Sequence, residues 1–386
     1  MAKIVYGISG SGSGHSSRAR EMMTHLRAQG HEILGVSYDR GYRNLKEDFN
    51  MFDVPGLHIV AIQNRVSKMQ TAIKNLKSLT GGIEKFREFK KTVFSDFQPD
   101  IVLCDFEPLT AYMATHRDLP LVTIDNQHRM RYMQYPCPSI LKKDAIVAET
   151  VIRAFVPKPD ASLVTTFFFG DIKNERTFLF PPILRKSVMD ARASNEGHIL
   201  VYLTQQSETI IDMFRNFPRE RFLIYGAGCE TKEVNLSYKP FSLDGFLDDL
   251  ASSKAVISTA GFTLMTESLH LGKPMLALPM GGQFEQELNA HLLEDLNYGK
   301  NGRNLDSESI GDFLYRLPEY RSTLENYPAQ DNRAIFAKLD ALLSNDCNLA
   351  KEAHKNRRNP LETRNNVNPI AKTPCKGAPI YIKAEH

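Results

Sequence analysis

Along this chain, short runs of β-branched and other apolar residues alternate with stretches in which apolar positions recur every three to four residues. That is the pattern of strands buried on both faces, separated by amphipathic helices. KIVYGI (3–8) opens the series, followed by a Gly/Ser turn, a helix from about Ser16 to Gln29 and the strand EILGVS (32–37), which together make a βαβ unit. Lys68 to Phe97 reads as a polar helical stretch. Then come a strand in QPDIVLCDF, a helix in TAYMATHRD and a strand in LPLVTIDN. The pattern breaks at Phe180-Pro181-Pro182, and a second series starts at His198 with HILVYL, continuing through RFLIYGAG, KAVIST and MLALPM. The alternation predicts an α/β protein of two doubly wound, Rossmann-like domains facing a cleft, over 1–180 and 198–345, joined by a linker at 181–197. Beyond, 346–386 is rich in Asn, Lys and Pro and has no apolar period, which predicts a mostly disordered tail.

Two turns carry candidate chemistry. In Ser258 to Gly299 (STAGFTLMTESLHLGKPMLALPMGGQFEQELNAHLLEDLNYG), the buried strand AVIST (255–259) leads through Ala260-Gly261 into a helix starting at Phe262. Gly272-Lys273-Pro274 stops that helix before the strand MLALPM. The free N–H groups and positive end of such a helix form an anion site, to which Gly261 gives access and the Thr259 and Thr263 hydroxyls add donors. One turn on, Glu267 suits ribose hydroxyls, and the acid and amide of Glu285-Gln286 suit vicinal sugar hydroxyls. The other turn, GISGSGSGH (7–15), lines the cleft with backbone N–H groups at Gly12 and Gly14. As a dinucleotide fingerprint it is imperfect, because Ser17 stands where a third glycine is expected, although Asp39 could serve a ribose.

The Ser258 to Gly299 stretch resembles the donor-binding signature of GT-B glycosyltransferases. It is similar to the peptidoglycan N-acetylglucosaminyltransferase and UDP-dependent natural-product glycosyltransferase families, which share Gly, Glu six residues on, Gly-x-Pro, and acid-Gln-x-x-Asn-Ala. The resemblance implies that Glu267 holds the ribose and that Glu285 and Gln286 hold the sugar of a UDP-sugar. It also implies that Gly14-His15 closes the first Gly-rich loop. Many of these relatives carry His or Arg just before the small-Gly pair, where this chain has Thr259. That leaves the diphosphate to backbone N–H groups and hydroxyls. Phe241 or Phe246 would cover the uracil, Gln205-Gln206 would face the cleft, and a helix around Ala334 to Leu343 would cross back to the first domain.

His15 is the expected catalytic base. Transfer removes a proton from an acceptor hydroxyl as it attacks the anomeric carbon, and a helix N-terminus disfavours the imidazolium. Asp105 would orient the ring, with Glu107 or Asp125 as substitutes; a His filling a cap position or touching phosphate is the bland alternative. The expected reaction is hexosyl transfer from a UDP-sugar, inverting and independent of metal, with no cofactor. The alternatives are a UDP-sugar epimerase of the same fold and a non-catalytic nucleotide-sugar-binding protein. The acceptor, unidentified but compatible with a lipid-linked or cell-envelope molecule, is expected near Gln127 to Tyr132 and the cationic Lys68 to Lys91 stretch. That surface also suits peripheral membrane contact.

Composition narrows this little. At 386 residues with 42% hydrophobic residues the chain can bury two cores, and a net charge of +3 argues against a nucleic-acid partner. The tail alone holds eight Lys/Arg against four Asp/Glu, so the basic excess sits there. Five scattered cysteines form no C-x-x-C pair and read as reduced thiols. With neither a signal-like N-terminus nor an apolar run of membrane-spanning length, the sequence predicts a cytoplasmic protein.

Overall fold

A computed structural model describes residues 1–56, 61–62, 65–66, 82–203, 208–226, 231–240 and 242–358. The first domain is a parallel sheet whose strands, in chain order, are β1 (Lys3–Ile8), β2 (Glu32–Ser37), β3 (Met51–Asp53), β6 (Ile101–Asp105), β7 (Leu121–Asp125), β8 (Ala161–Thr165) and β9 (Thr177–Phe180). Between β3 and β6, the two-residue strands β4 (Ala61–Ile62) and β5 (Arg65–Val66) pair with each other in antiparallel fashion. The spatial order is β3-β2-β1-β6-β7-β8-β9. The second sheet is built from β10 (His198–Tyr202), β11 (Arg221–Tyr225), β12 (Thr231–Lys232), β13 (Leu236–Lys239), β14 (Ala255–Thr259), β15 (Met275–Leu278) and β16 (Gly299–Asn301). Its order is β12-β13-β11-β10-β14-β15-β16, parallel except for the β12–β13 pair.

The central strands are buried along their whole length, as their unbroken apolar runs require. Every residue of β6, β7, β8, β14 and β15 is buried. Among the parallel strands of each sheet the order reverses once, between β1 and β6 and between β10 and β14, and a doubly wound sheet opens its ligand crevice beyond the strand ends at such a point. The Gly-rich turn after β1 and Asp105 at the end of β6 flank the first crossover. The Ala260-Gly261 turn after β14 sits at the second.

The chain passes between domains twice, and the two passages are bonded together. Asn332 receives the Leu184 N–H at 3.0 Å and donates to the Leu184 carbonyl at 2.8 Å. The linker expected at 181–197 contains the short helix Lys186–Asp190, with Ile183, Leu184 and Val188 buried, so it is a packed strap.

The tail departs from expectation. Helix Arg333–Arg358 runs past the predicted boundary at 345/346, bending at Ser344 to Cys347, where Asn345, Asp346 and Cys347 have positive φ. Ile335, Leu339, Leu342, Leu343, Cys347, Ala350 and Ala353 join the apolar core of the first domain with Ile4, Met22 and Leu26. Beyond the bend, His354 bonds Asp160 (3.0 Å) and Asp118 (2.8 Å), and Arg357 donates to Asp160 at 2.5 Å. Asp160 is fully buried, so the Arg357 charge and the His354 hydrogen bond compensate a carboxylate that water does not reach. Residues 346–358 are therefore part of the first domain and not of a disordered tail; the remainder of the predicted tail, 359–386, lies outside the described residues. Of the polar stretch 68–97, Gly82–Phe89 is α-helical and continues in a wider turn through Asp96, and the cationic part expected to meet the acceptor lies outside the described residues up to position 81.

Truncation after Asn345 should lower the melting temperature of the first domain, because it strips Asp160 of the Arg357 cation and of its His354 partner at a cost of about 3–5 kcal/mol. An unchanged calorimetric profile would mean that 346–358 only rest on the surface.

Candidate active site

The helix Gly14–Ala28 starts at the mouth of the cleft, and its first residues are shaped by contact with the other domain. A Cβ on Gly14 would lie 2.5 Å from the Thr263 hydroxyl, so only glycine lets the two helices meet there. Gly12, at φ +82° and with open space around it, serves the turn itself. His15, one residue into the helix, has its Nδ1 2.7 Å from Asp105 Oδ1. Asp105 is fully buried and also receives Arg18 Nε on Oδ2 (2.6 Å) and Arg18 Nη2 on Oδ1 (2.6 Å). Arg18 Nη1 donates to Asn126 Oδ1 at 2.7 Å.

This geometry fixes the imidazole tautomer. An ionised carboxylate only accepts, so Nδ1 carries the proton donated to Asp105. Arg18 Nη2 also lies 2.7 Å from Nδ1; a guanidinium only donates, so with the proton on Nδ1 its donation goes to Oδ1. Nε2 is left with its lone pair, and it makes no hydrogen bond among the described residues. Burial alone would raise the Asp105 carboxyl; the Arg18 charge and the hydrogen bonds from His15 and Arg18 outweigh it and hold the group below its ordinary value. Neither proposed substitute orients His15. Glu107 caps helix Pro108–His116 by accepting from the N–H groups of Leu109 and Thr110, and Asp125 bonds His128 Nδ1 at 2.7 Å.

Across the cleft, helix Phe262–His270 begins at Gly261, which adopts the extended conformation of a helix cap. The first helical hydrogen bond is donated by Met265 to the Gly261 carbonyl, so the N–H groups of Phe262, Thr263 and Leu264 point out of the helix end without helical partners. A Cβ at Gly261 would meet open space, so this end is sterically accessible. Glu267 is buried and forked onto Arg185 from the linker, with Nε to Oε1 and Nη2 to Oε2 both at 2.7 Å. Glu285 Oε1 accepts from Asn126 Nδ2 (2.6 Å) and Oε2 from Gln127 Nε2 (3.1 Å), so this acid bridges the two domains. Gln286 Oε1 accepts the Met280 N–H at 3.0 Å and pins the Gly-rich turn before its helix.

The structure thus brings His15, Asp105, Gly14 and Thr263 into one place, with Glu285 close by through Asn126, which Arg18 also holds. Glu267 stands a turn deeper, on Arg185. The segment Gln127 to Tyr132 is not the open acceptor surface that its polarity suggested: Gln127, His128, Arg129 and Met130 are buried. Phe246 packs edge-on against Tyr202 and Tyr225, a core role and not that of a base cover. Gln205, Gln206 and Phe241 lie outside the described residues. Reading the sequence missed Arg18, Arg185 and the His128–Asp125 pair. Only Arg18 left a signal, its three-residue spacing from His15 on one helix face. Among the described residues no group of three or more His, Cys, Asp or Glu is arranged to hold a metal ion, and no helix is long and apolar enough to cross a membrane.

Replacing Asp105 by Asn should cost about 3–5 kcal/mol in chemical denaturation, because Arg18 is left buried and uncompensated. The double variant D105N/R18M should recover a large part of that loss. In the parent, a carboxyl whose folded-state pKa is depressed stabilises the fold fully above its unfolded value and loses that stabilisation as pH falls through the folded-state value. A titration of stability below about pH 4 should therefore be steeper in the parent than in the double variant.

Comparison with known proteins agrees with this architecture. Residues 2–318 match the model of the family described as Glycosyl transferase family 1. An uncharacterized glycosyltransferase of Methanosarcina mazei is 25% identical over 335 residues, covering 77% of this chain and 85% of that protein. One from Methanosarcina acetivorans is 24% identical over 332 residues, with the same coverage. Among solved structures, the glycotransferase of kitacinnamycin superposes with a TM-score of 0.63 at 14% identity, over 89% of this chain and 99% of that one. The calicheamicin glycosyltransferase CalG4 superposes with a TM-score of 0.62 at 14% identity, over 90% and 99%. The spinosyn rhamnosyltransferase SpnG, solved with thymidine diphosphate, gives 0.58 at 14% identity, over 89% and 100%. Two Rossmann-like domains of the GT-B type, closed on a His–Asp pair and a helix N-terminus, therefore belong to a glycosyltransferase, and the chain is a member of glycosyl transferase family 1.

Proposed function

We propose that this protein moves a hexosyl group from a UDP-sugar to an acceptor hydroxyl, with inversion and without a metal ion. The observation that carries the reading is the His15–Asp105 pair facing the open N-terminus of helix Phe262–His270 across the cleft. His15 Nε2 takes the proton of the acceptor hydroxyl while its oxygen bonds to the anomeric carbon. The bond from that carbon to the β-phosphate oxygen breaks, and UDP departs with the electron pair. Asp105 holds the ring and stabilises the positive charge that forms on it, while the Phe262, Thr263 and Leu264 N–H groups and the Thr263 hydroxyl receive the charge that develops on the diphosphate.

In this reading Glu285 and Gln286 take the sugar hydroxyls, with Asn126 and Gln127 yielding Glu285 as the donor enters. Glu267 takes the ribose, its carboxylate held in place by Arg185 and still having lone pairs to offer. Gly12 and Gly261 leave room for the diphosphate, and Gly14 lets the first helix approach Thr263 beside it. The thymidine diphosphate in the complexes of SpnG and of SsfS6 from Streptomyces sp. SF2575 supports a pyrimidine nucleoside diphosphate as the carrier. Ile140, Ile146 and Val147 stand exposed beside Lys142 and Lys143, which supports an acceptor borne on a lipid and peripheral contact with a membrane.

The test is incubation with a panel of nucleotide sugars and acceptor alcohols. Release of free UDP with a glycosylated product is expected; an isomerised UDP-sugar would mean an epimerase, and an intact donor a binding protein. The product anomer, read by NMR, should be opposite to that of the donor, and a chelator should leave the rate unchanged. Replacing His15 by Ala should lower kcat by about 10²- to 10⁴-fold while UDP affinity holds; an undiminished rate would remove His15 as the base.

A further inference from the structure

Among the described residues, Arg129 is the largest side chain with no exposure. It follows β7 on the first domain and lies where the two domains meet. Its Nη2 donates to Asn289 Oδ1, and Asn289 Nδ2 in turn donates to the Ala260 carbonyl at 2.9 Å, on the turn that leads into helix Phe262–His270. The guanidinium carbon is 5.1 Å from the ring centroid of Phe262, the first residue of that helix, and 5.9 and 5.6 Å from those of Phe167 and Phe168. Among the described residues no carboxylate bonds it, and both Nε and Nη1 are buried without a hydrogen-bond partner.

Such an arrangement is costly for folding. Three aromatic faces and one amide oxygen solvate a guanidinium far less well than water does, and a leucine or methionine would pack there without an uncompensated charge. Burial pushes the group down to about 10, with the charge of Glu285 pulling the other way, so at neutral pH the charge is still present. The neighbouring turn has a complementary deficiency. Ser258 to Leu264 offers backbone N–H groups and hydroxyls but no cation for a phosphate.

We propose that Arg129 is the cation of the diphosphate site: Nε and Nη1 bind the donor's diphosphate at the N-terminus of helix Phe262–His270, so that the anion is held by both domains at once. The inference rests on the nucleotide-sugar reading above and assigns to the first domain a contact that the second domain's sequence lacks. Two of the three rings around the guanidinium, Phe167 and Phe168, belong to the first domain, whereas Phe262 and Asn289 belong to the second. Separation of the domains therefore opens one side of Arg129 for the diphosphate, and closure on the bound anion restores the dry surroundings that strengthen the contact.

The experiment is calorimetric titration of the full chain with UDP, UMP, uridine and pyrophosphate, in the parent and in R129Q, R129M and R129K. The parent should bind UDP more tightly than uridine. R129Q and R129M should shrink that preference by about 10- to 100-fold, the loss of a charge-assisted contact, and leave uridine binding unchanged. R129K should retain part of it. Without nucleotide, R129M should melt no lower than the parent, because an uncompensated buried charge has gone; a purely structural arginine would instead lower the melting temperature and leave the UDP preference intact. An undiminished preference in R129Q overturns the role of Arg129 alone. Failure of the parent to bind any nucleoside diphosphate, tried also with TDP, GDP and ADP, overturns the donor reading and this inference with it.

Discussion

The buried carboxylate of Asp105 is the constraint around which the cleft is organised. It ends a central strand beside the point where the first sheet reverses its strand order, and water does not reach it. A charge in that position requires compensation, and Arg18 provides it with a two-pronged contact from one turn into the first helix. Because Arg18 and His15 share a helix face, the same contact sets how that helix sits on the sheet and where the imidazole lies. Arg18 then extends to Asn126, Asn126 to Glu285, and Glu285 belongs to the other domain. One ion pair thus fixes the proposed base and begins a chain of hydrogen bonds that crosses the cleft.

Other contacts close the two domains on each other, and they differ in chemistry. Gly14 against Thr263 is a steric contact that admits no side chain. Phe167 against Phe262, at 6.2 Å between ring centroids, continues an apolar core that spans both domains. Arg185 on Glu267 joins the linker to the second domain by a forked ion pair, and Asn332 bonds the two passages of the chain to one another. Polar contacts of this kind exchange readily for ligand hydroxyls and phosphates, whereas the apolar and steric ones set how far the domains can approach. A cleft built in this way favours one closed arrangement and still leaves its polar groups available to a substrate.

Arg129 and Asp105 make an instructive contrast. Both are buried ionised groups within the same interdomain region, but the carboxylate has a partner of opposite charge and the guanidinium has aromatic faces and an amide. The first arrangement serves folding and orientation. The second burdens the fold, and the burden is understandable if an anion completes the site.

The sequence by itself determined most of the architecture. The strands KIVYGI, EILGVS and AVIST begin and end where their apolar runs do, and helix Phe262–His270 begins at the residue after the Ala-Gly pair, because burial on both faces and local backbone freedom are encoded over a few adjacent residues. The His15–Asp105 pairing was legible only as one of three, since Glu107 and Asp125 also stand at or just after strand ends, and the folded geometry chose among them. What the tertiary structure decided was the identity of partners distant in the chain. Nothing local marks Arg185 as the partner of Glu267, Asn126 as that of Glu285, or Arg129 as buried and not exposed beside its polar neighbours. Nor does anything local tell that residues 346–358, polar and without apolar period, cover Asp160 with His354 and Arg357. Periodicity reports which face of an element is apolar, but the compensation of a buried charge depends on which groups folding brings together, and that information is spread over the whole chain.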